Sequence, residues 1–399
     1  MSVISFPQKL IVGSHTLEKI HETLELLDLS YPLIITDKVM LNLGYVDSLI
    51  KSLNCPNYGI FSETEQEPSS NSISNAVSFF KKNSDYDCLI AIGGGSVIDS
   101  AKIISLLALN GGEVRDYKVP YIVKEPVYPV IAIPTTAGTG SEVTAVSVIS
   151  DSISNEKMLL MGPSFMPKTV ILDHTLTLSM PSRVTADTGL DAMTHAIEAY
   201  ISKKSNSFTN AMALSAISLL APNIETVFNN PDNLNARESM MLGSTLAGIA
   251  FSNSSVGLVH GMSRPLGVFF KIPHGMSNAM LLPIILKKLR DKNTDEKYDS
   301  LFDAMKLNIN HGECKAVSFV DYMSHLCKSL RVPSLNEFGV CKETYFSKLE
   351  IMASQAIQSG SPQNSPKILD EDEIISLYKE LWNLSTVNSS RNNNELSFA

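Results

Sequence analysis

Across the 399 residues there is no apolar run of the ~18 residues that a membrane-spanning helix needs. The first twenty residues, MSVISFPQKLIVGSHTLEKI, do not set a basic stretch before an apolar one, so no secretory signal is expected. Cysteine is scarce and poorly placed: Cys55, Cys88, Cys314, Cys327 and Cys341 are odd in number, scattered, and never spaced as C-x-x-C. That excludes a disulfide framework and a zinc ribbon, and makes a reducing cytoplasm the expected compartment. Clustered Lys and Arg are also missing, and the formal net charge is −9, so neither nucleic acid nor a membrane surface is an expected partner. Disorder is excluded as well, because hydrophobic residues make up 44% of the chain against 18% charged.

What is present divides into two textures. At roughly 100 to 200 residues per domain the length favours two or three domains. Up to about residue 181, short apolar runs alternate with amphipathic stretches, the pattern of parallel strands joined by crossover helices. Strands are expected at 33–36, 58–61, 88–92, 129–133 and 170–172, and helices at 15–28, 70–82 and 96–109. Two β-rich pieces between Val143 and Met161, around Asp151 to Asn155, suggest a hairpin on the sheet. After Pro181, β-branched runs give way to Ala, Leu, Met and Ser at three- and four-residue spacing, so an all-helical region is expected over 182–384. Its helices are expected near 183–202, 208–228, 235–250, 253–264, 275–288, 297–307, 315–329, 342–356 and 371–383. Residues 385–399, polar and rich in Asn and Ser, are expected to form a disordered tail.

Three elements collect at the carboxyl ends of the expected strands, the edge where ligands bind in open α/β sheets. Cys88 to Ile92 runs into Gly93-Gly94-Gly95-Ser96 and then a helix. Glycines there let backbone N–H groups approach a pyrophosphate at the positive end of a helix. A tight turn with Ser96 as N-cap would read the same way. Pro134 to Glu142, with Thr135, Thr136 and Thr139, follows a second strand. Asp37 ends a third, where a carboxylate can bind a ribose diol and repel a 2′-phosphate, favouring NAD over NADP, or can simply cap the next helix.

The helical half carries a different chemistry. Asp191 and His195 stand at i and i+4 on one helix face and could converge on one ion. His260 and His274 lie in apolar surroundings, where an unpaired imidazole is costly. One carboxylate and three imidazoles suit Fe²⁺ or Zn²⁺ far better than Mg²⁺ or Ca²⁺.

These segments together resemble the iron-containing (group III) alcohol dehydrogenases. The resemblance runs from Phe6-Pro7 and Gly13 through Gly93 to Lys102, Pro134 to Glu142 and Gly189 to Tyr200, then to both histidine segments and the stretch near Pro362 and Pro366. It implies a Rossmann-like dinucleotide-binding domain over 1–181, a helical metal-binding catalytic domain over 182–384 as in dehydroquinate synthase-like folds, and an active site between them. It matches Asp191, His195, His260 and His274 to metal ligands for Fe²⁺ or Zn²⁺. It matches Asp37, Gly94, Gly95, Ser96, Thr135, Thr136, Thr139 and Lys157 to positions that contact NAD. Asp99 and Lys102 fit the pattern as holders of the loop. The implied activity is hydride transfer between a small primary alcohol, or its aldehyde, and NAD(H), by a homo-oligomer, a dimer or larger. Two other uses of the scaffold stay open: hydroxyacid–oxoacid transhydrogenation without release of NAD, and a catalytically silent nucleotide-binding protein. One departure touches the chemistry. Many members carry H-A-M-A-H where this chain reads His260-Gly261-Met262-Ser263-Arg264. Arg264 thus replaces a candidate proton relay, and either faces the substrate or turns away to an acidic side chain or helix carbonyls.

Overall fold

The computed structural model describes residues 3–83, 85–154, 156–307 and 314–395, with side chains described as far as residue 384. Six short apolar segments form one sheet: β1 (Lys9–Val12), β2 (Pro32–Ile35), β3 (Gly59–Phe61), β4 (Cys88–Gly93), β5 (Val130–Pro134) and β8 (Thr169–Leu172). They lie in the order β1-β8-β5-β4-β2-β3, and every pairing is parallel. Four of them, β2, β4, β5 and β8, are buried along their whole length, which is why they read as unbroken Val/Ile/Leu runs rather than as alternating ones.

Alternate residues face opposite layers. Leu33, Leu89, Ala91, Ala132 and Val170 pack on the helices Ser70–Phe80 and Gly95–Asn110, in a core continuous with Leu190 and Ala247 of the helical half. Ile34, Ile90, Ile92, Ile133 and Ile171 face Ile20, Leu24, Val46, Leu49 and Leu53 on the other side. Helices on both faces make this a doubly wound sheet. The chain leaves β2 toward β3 at one edge and leaves β4 toward β5 on the opposite side, so the carboxyl ends of β2 and β4 flank the topological switch point.

β1 and the helices Lys38–Asn42 and Tyr45–Leu53 go beyond the sequence expectation. The expected hairpin forms, as β6 (Val146–Ser150) and β7 (Lys157–Met161), but as a separate two-stranded sheet rather than on the main one. It is drawn to the Gly95–Asn110 helix, where Asp99 Oδ2 accepts from the Val148 N–H at 3.0 Å and the Asp99 carbonyl accepts from Ser147 Oγ at 3.1 Å.

From Ser182 onward the described residues form helices and no strand. The helix expected over 208–228 is two, Ser207–Leu220 and Ile224–Asn229, separated at Pro222, which has no N–H to continue the ladder. The one expected over 342–356 also divides, into Lys342–Phe346 and Leu349–Gln358. The one expected over 253–264 spans Leu258–Phe270 instead, beginning late and running through Pro265. The last helix covers Glu371–Glu395, so the chain after residue 384 continues a helix where a disordered tail was expected. No Gly or Pro interrupts that stretch, and the helix simply propagates. Residues 396–399 lie outside the described residues.

Candidate metal and nucleotide site

The helix Ser182–Ile201 is buried along nearly its whole length, and it presents Asp191 and His195 one turn apart. His260 comes from the first turn of Leu258–Phe270, and His274 is the first residue of His274–Leu289. Three helices thus deliver four ligand-type side chains to one point. Asp191 Oδ1 lies 3.9 Å from His195 Nε2, 3.5 Å from His260 Nε2 and 3.8 Å from His274 Nε2. The coordinating atoms of Asp191, His195 and His260 all fall within 4.8 Å of one another. His274 is the open member, with its side chain 45% exposed while the other three are buried.

Glycine makes the convergence possible. A Cβ on Gly275 would lie 2.2 Å from the Asp187 carbonyl oxygen, so only glycine lets the two helices approach closely enough to set His274 beside Asp191.

Glu198 fixes the orientation of His260. It is buried, and its Oε2 lies 2.6 Å from His260 Nδ1 and accepts from the Gly257 N–H at 2.9 Å. Its Oε1 accepts from the Val259 N–H at 2.7 Å. With Nδ1 donating to Glu198, the lone pair of His260 sits on Nε2, turned toward Asp191. Burial disfavours charge on His260, but the Asp191 and Glu198 carboxylates, each of which can accept from the protonated ring, outweigh burial and raise its pKa. Burial pushes His195 down to about 4, so its ring is neutral at pH 7. The His195 ring stacks on Phe251 with centroids 4.2 Å apart. Its Nδ1 is buried, with the Gly138 backbone as its polar neighbour. Burial would push the Asp191 carboxyl up, yet its imidazole neighbours hold it well below the usual carboxylate range.

The donor set fits a divalent transition metal. An ionised carboxylate and imidazole nitrogens face one another, an arrangement of acceptors that only a cation or a shared donor can satisfy. The Asn278 amide nitrogen stands among them, 2.6 Å from Asp191 Oδ1, 3.2 Å from His260 Nε2 and 3.3 Å from His274 Nε2, while its own buried Oδ1 has no partner. Neither Glu198 nor Asn278 figures among the sequence candidates, although both were legible as helix-face neighbours. Glu198 follows Asp191 at i+7 and His195 at i+3, and Asn278 follows His274 at i+4.

The nucleotide candidates gather on the adjacent edge. Gly94 is the N-cap of Gly95–Asn110 and offers no side chain to its free amides. Ser96 lies inside that helix rather than capping it, and its hydroxyl donates to the Gln66 carbonyl. The two loops interlock: a Cβ on Gly95 would come within 2.7 Å of Thr139 Oγ1, and one on Gly94 within 3.5 Å of the Thr136 methyl. Thr135 Oγ1 is buried without a partner. Asp99 and Lys102 hold this loop, with Asp99 accepting from Ser141 Oγ and the buried Lys102 Nζ donating to the Ser141 and Val146 carbonyls at 2.7 Å each. Asp37 caps Lys38–Asn42 through a single oxygen, Oδ1, which accepts from Val39 and Met40. Lys157 opens β7 and pairs with Glu67 at 3.3 Å, on the loop that also meets Ser96. The Thr-rich loop reaches the metal-site helix directly, since a Cβ on Gly138 would lie 2.4 Å from Thr188 Cβ.

Arg264 stands one helical turn from His260. The two structural partners open to it in the sequence, an acidic side chain and helix carbonyls, are both absent: among the described residues Arg264 makes no hydrogen bond and no ion pair.

Comparison with known proteins places the chain in a family. Residues 7–174 match the family model of iron-containing alcohol dehydrogenase, and residues 185–382 match that of the C-terminal part of the same family. The chain is 30% identical to an NAD-dependent methanol dehydrogenase of Bacillus methanolicus, over 95% of this chain and 99% of that one. It is 34% identical to long-chain-alcohol dehydrogenase 1 of Geobacillus thermodenitrificans, over 94% and 95%. A solved 1,3-propanediol oxidoreductase superposes with a TM-score of 0.90 at 31% identity, covering 96% of this chain and all of that one. With both halves matched and relatives aligned nearly end to end, the chain belongs to the iron-containing alcohol dehydrogenase family.

Proposed function

We propose that this chain transfers a hydride between a small primary alcohol, or the corresponding aldehyde, and NAD(H), with Asp191, His195, His260 and His274 holding Fe²⁺, or Zn²⁺ in its place. The observation that carries the reading is the convergence of three imidazoles on Asp191 Oδ1, beside the loop after β5. When bound, the metal supplies Lewis acidity at the substrate oxygen and the dinucleotide supplies the hydride acceptor or donor.

The chain's own residues do the rest. Glu198 keeps the His260 proton on Nδ1 and so leaves Nε2 free to ligate. Phe251 covers one face of His195 and excludes water from that side. Gly94, Gly95 and Ser96, at a helix start free of side-chain caps, are the seat for the pyrophosphate, with Thr135, Thr136 and Thr139 opposite. Asp37 keeps Oδ2 clear of its capping bonds and directs it to the ribose. Lys157 belongs to the same rim. In this reading residues 1–181 hold the nucleotide and 182–384 the metal, and the enzyme works as a homo-oligomer in the cytoplasm, which light scattering and fractionation test.

The decisive experiment is absorbance at 340 nm with NAD and a panel of primary alcohols, before and after chelation, on the parent and on His260→Ala. Turnover should vanish on chelation and return with Fe²⁺ or Zn²⁺ in the parent alone. More than about a tenth of parental activity in chelated His260→Ala would overturn the ligand assignment. Tightly bound NAD with no net NADH would point to transhydrogenation instead.

A further inference from the structure

Arg264 differs from the other arginines with described side chains that lie partly or wholly inside the protein. Arg183 donates to the Leu330 and Arg331 carbonyls and to Asp187, and Arg237 to the Pro231 carbonyl and Thr185. Arg264 is half-buried, and among the described residues it has no such partner. The two carboxylates of the metal site are already engaged. Both oxygens of Glu198 are taken by Gly257, Val259 and His260, and Asp191 Oδ1 accepts from Asn278. A guanidinium that stays charged at any working pH, removed from part of its water and left with only the field of the already engaged Glu198 carboxylate, with no anion to hydrogen-bond, is a standing cost to the fold. Such a cost is retained where a ligand supplies the missing charge.

Its position says which ligand. Arg264 follows His260 by four residues, so the two Cα atoms are separated by ~6 Å along the helix axis on the same face. A substrate whose reacting oxygen lies at the His260 and His274 Nε2 atoms therefore has a fixed, planar, five-donor cation a short carbon chain away.

We propose that Arg264 is a specificity-determining residue that selects alcohols and aldehydes bearing an oxyanion, a carboxylate or a sulfonate, at the end away from the reacting carbon. The inference rests on the dehydrogenase reading above and narrows its substrate class. Carboxylate and guanidinium pair through two parallel hydrogen bonds, a geometry that an uncharged hydroxyl cannot match.

The test compares kcat/KM for 4-hydroxybutanoate, 3-hydroxypropane-1-sulfonate and 1-butanol in the parent, Arg264→Met and Arg264→Lys. At least one oxyanion substrate should exceed 1-butanol in the parent. The ratio of that substrate to 1-butanol should fall tenfold or more in Arg264→Met and by less in Arg264→Lys, which keeps the charge. Which substrate shows the fall identifies the oxyanion. Equal changes for acid and alcohol, or no preference in the parent, overturn the proposal. Calorimetric titration of butanoate into the NAD-loaded protein gives a second readout that needs no turnover. Binding should weaken at least tenfold in Arg264→Met, and equal affinities refute the assignment. If the parent oxidises none of the three alcohols, the dehydrogenase reading fails while the butanoate titration still decides the role of Arg264.

Discussion

Glutamine at position 198 is the most informative single change, because it keeps the shape of the side chain while removing its charge and one acceptor. Glu198 Oε1 serves the Val259 N–H, and Oε2 serves both the Gly257 N–H and His260 Nδ1. In Glu198→Gln one of these positions becomes an N–H₂ facing a donor. If the remaining oxygen stays on the Oε2 side, the Val259 amide is stranded. If it stays on the other side, the Gly257 amide is stranded and His260 is driven to the tautomer whose Nε2 carries the proton toward Asp191. Stranding one buried donor costs about 1–3 kcal/mol, and the hydrogen bonds lost are to a charged acceptor, at the upper end of that range. A misoriented ligand should also weaken metal binding by about 10–100-fold. Competition against a chelator of known affinity measures the second effect and urea unfolding the first. A metal affinity within twofold of the parent, even with a lowered unfolding midpoint, would refute the positioning role and leave Glu198 only as the cap of the Leu258–Phe270 helix.

Gly275→Ala should destabilise the protein by about 1–3 kcal/mol, because its Cβ would sit 2.2 Å from the Asp187 carbonyl oxygen and force the two helices apart. It should also lower metal retention, and an unchanged unfolding midpoint would contradict this. Asp37→Asn preserves the cap, since Asn caps as well as Asp, but removes the charge that repels a 2′-phosphate. The NADP to NAD ratio of kcat/KM should rise at least tenfold at unchanged stability, and a constant ratio would make Asp37 a cap alone. Acid should weaken the metal-free protein through His195, whose pKa of about 4 lies below the 6.5 of an exposed imidazole. Between those values the unfolded chain binds more protons, so stability falls as pH drops from 6.5 toward 4, by of order 3 kcal/mol for this ring. His260, shifted the other way, offsets part of the loss. Urea midpoints of chelated His195→Leu should vary less with pH than those of the parent, and parallel curves would refute the assignment.

The residue pattern by itself determined what depends on local periodicity and on residue chemistry. The buried strands from Pro32 to Leu172 announce themselves as unbroken apolar runs, and the helices beyond Ser182 as three- and four-residue spacing. Asp191 with His195 is a one-turn pair that any helix would place on one face, and glycines after β4 mark a close backbone approach whatever surrounds them. The edge strand β1 and the short helix Lys38–Asn42 left little trace, because four or five residues carry too few periods to register.

Tertiary structure decided the rest, for reasons of distance and of competition between partners. The hairpin leaves the sheet because Asp99, more than forty residues earlier, binds its edge amide. The Leu258–Phe270 helix begins later than its composition suggests because Glu198, on another helix, takes the Gly257 and Val259 amides and so sets where the first turn starts. His274 joins Asp191 only because Gly275 has no side chain to hold the two helices apart. The surroundings of Arg264 are also set in three dimensions. A charge four residues from a ligand is legible in the chain, but whether any acid or carbonyl reaches it depends on every element packed around it, and none of the described ones does.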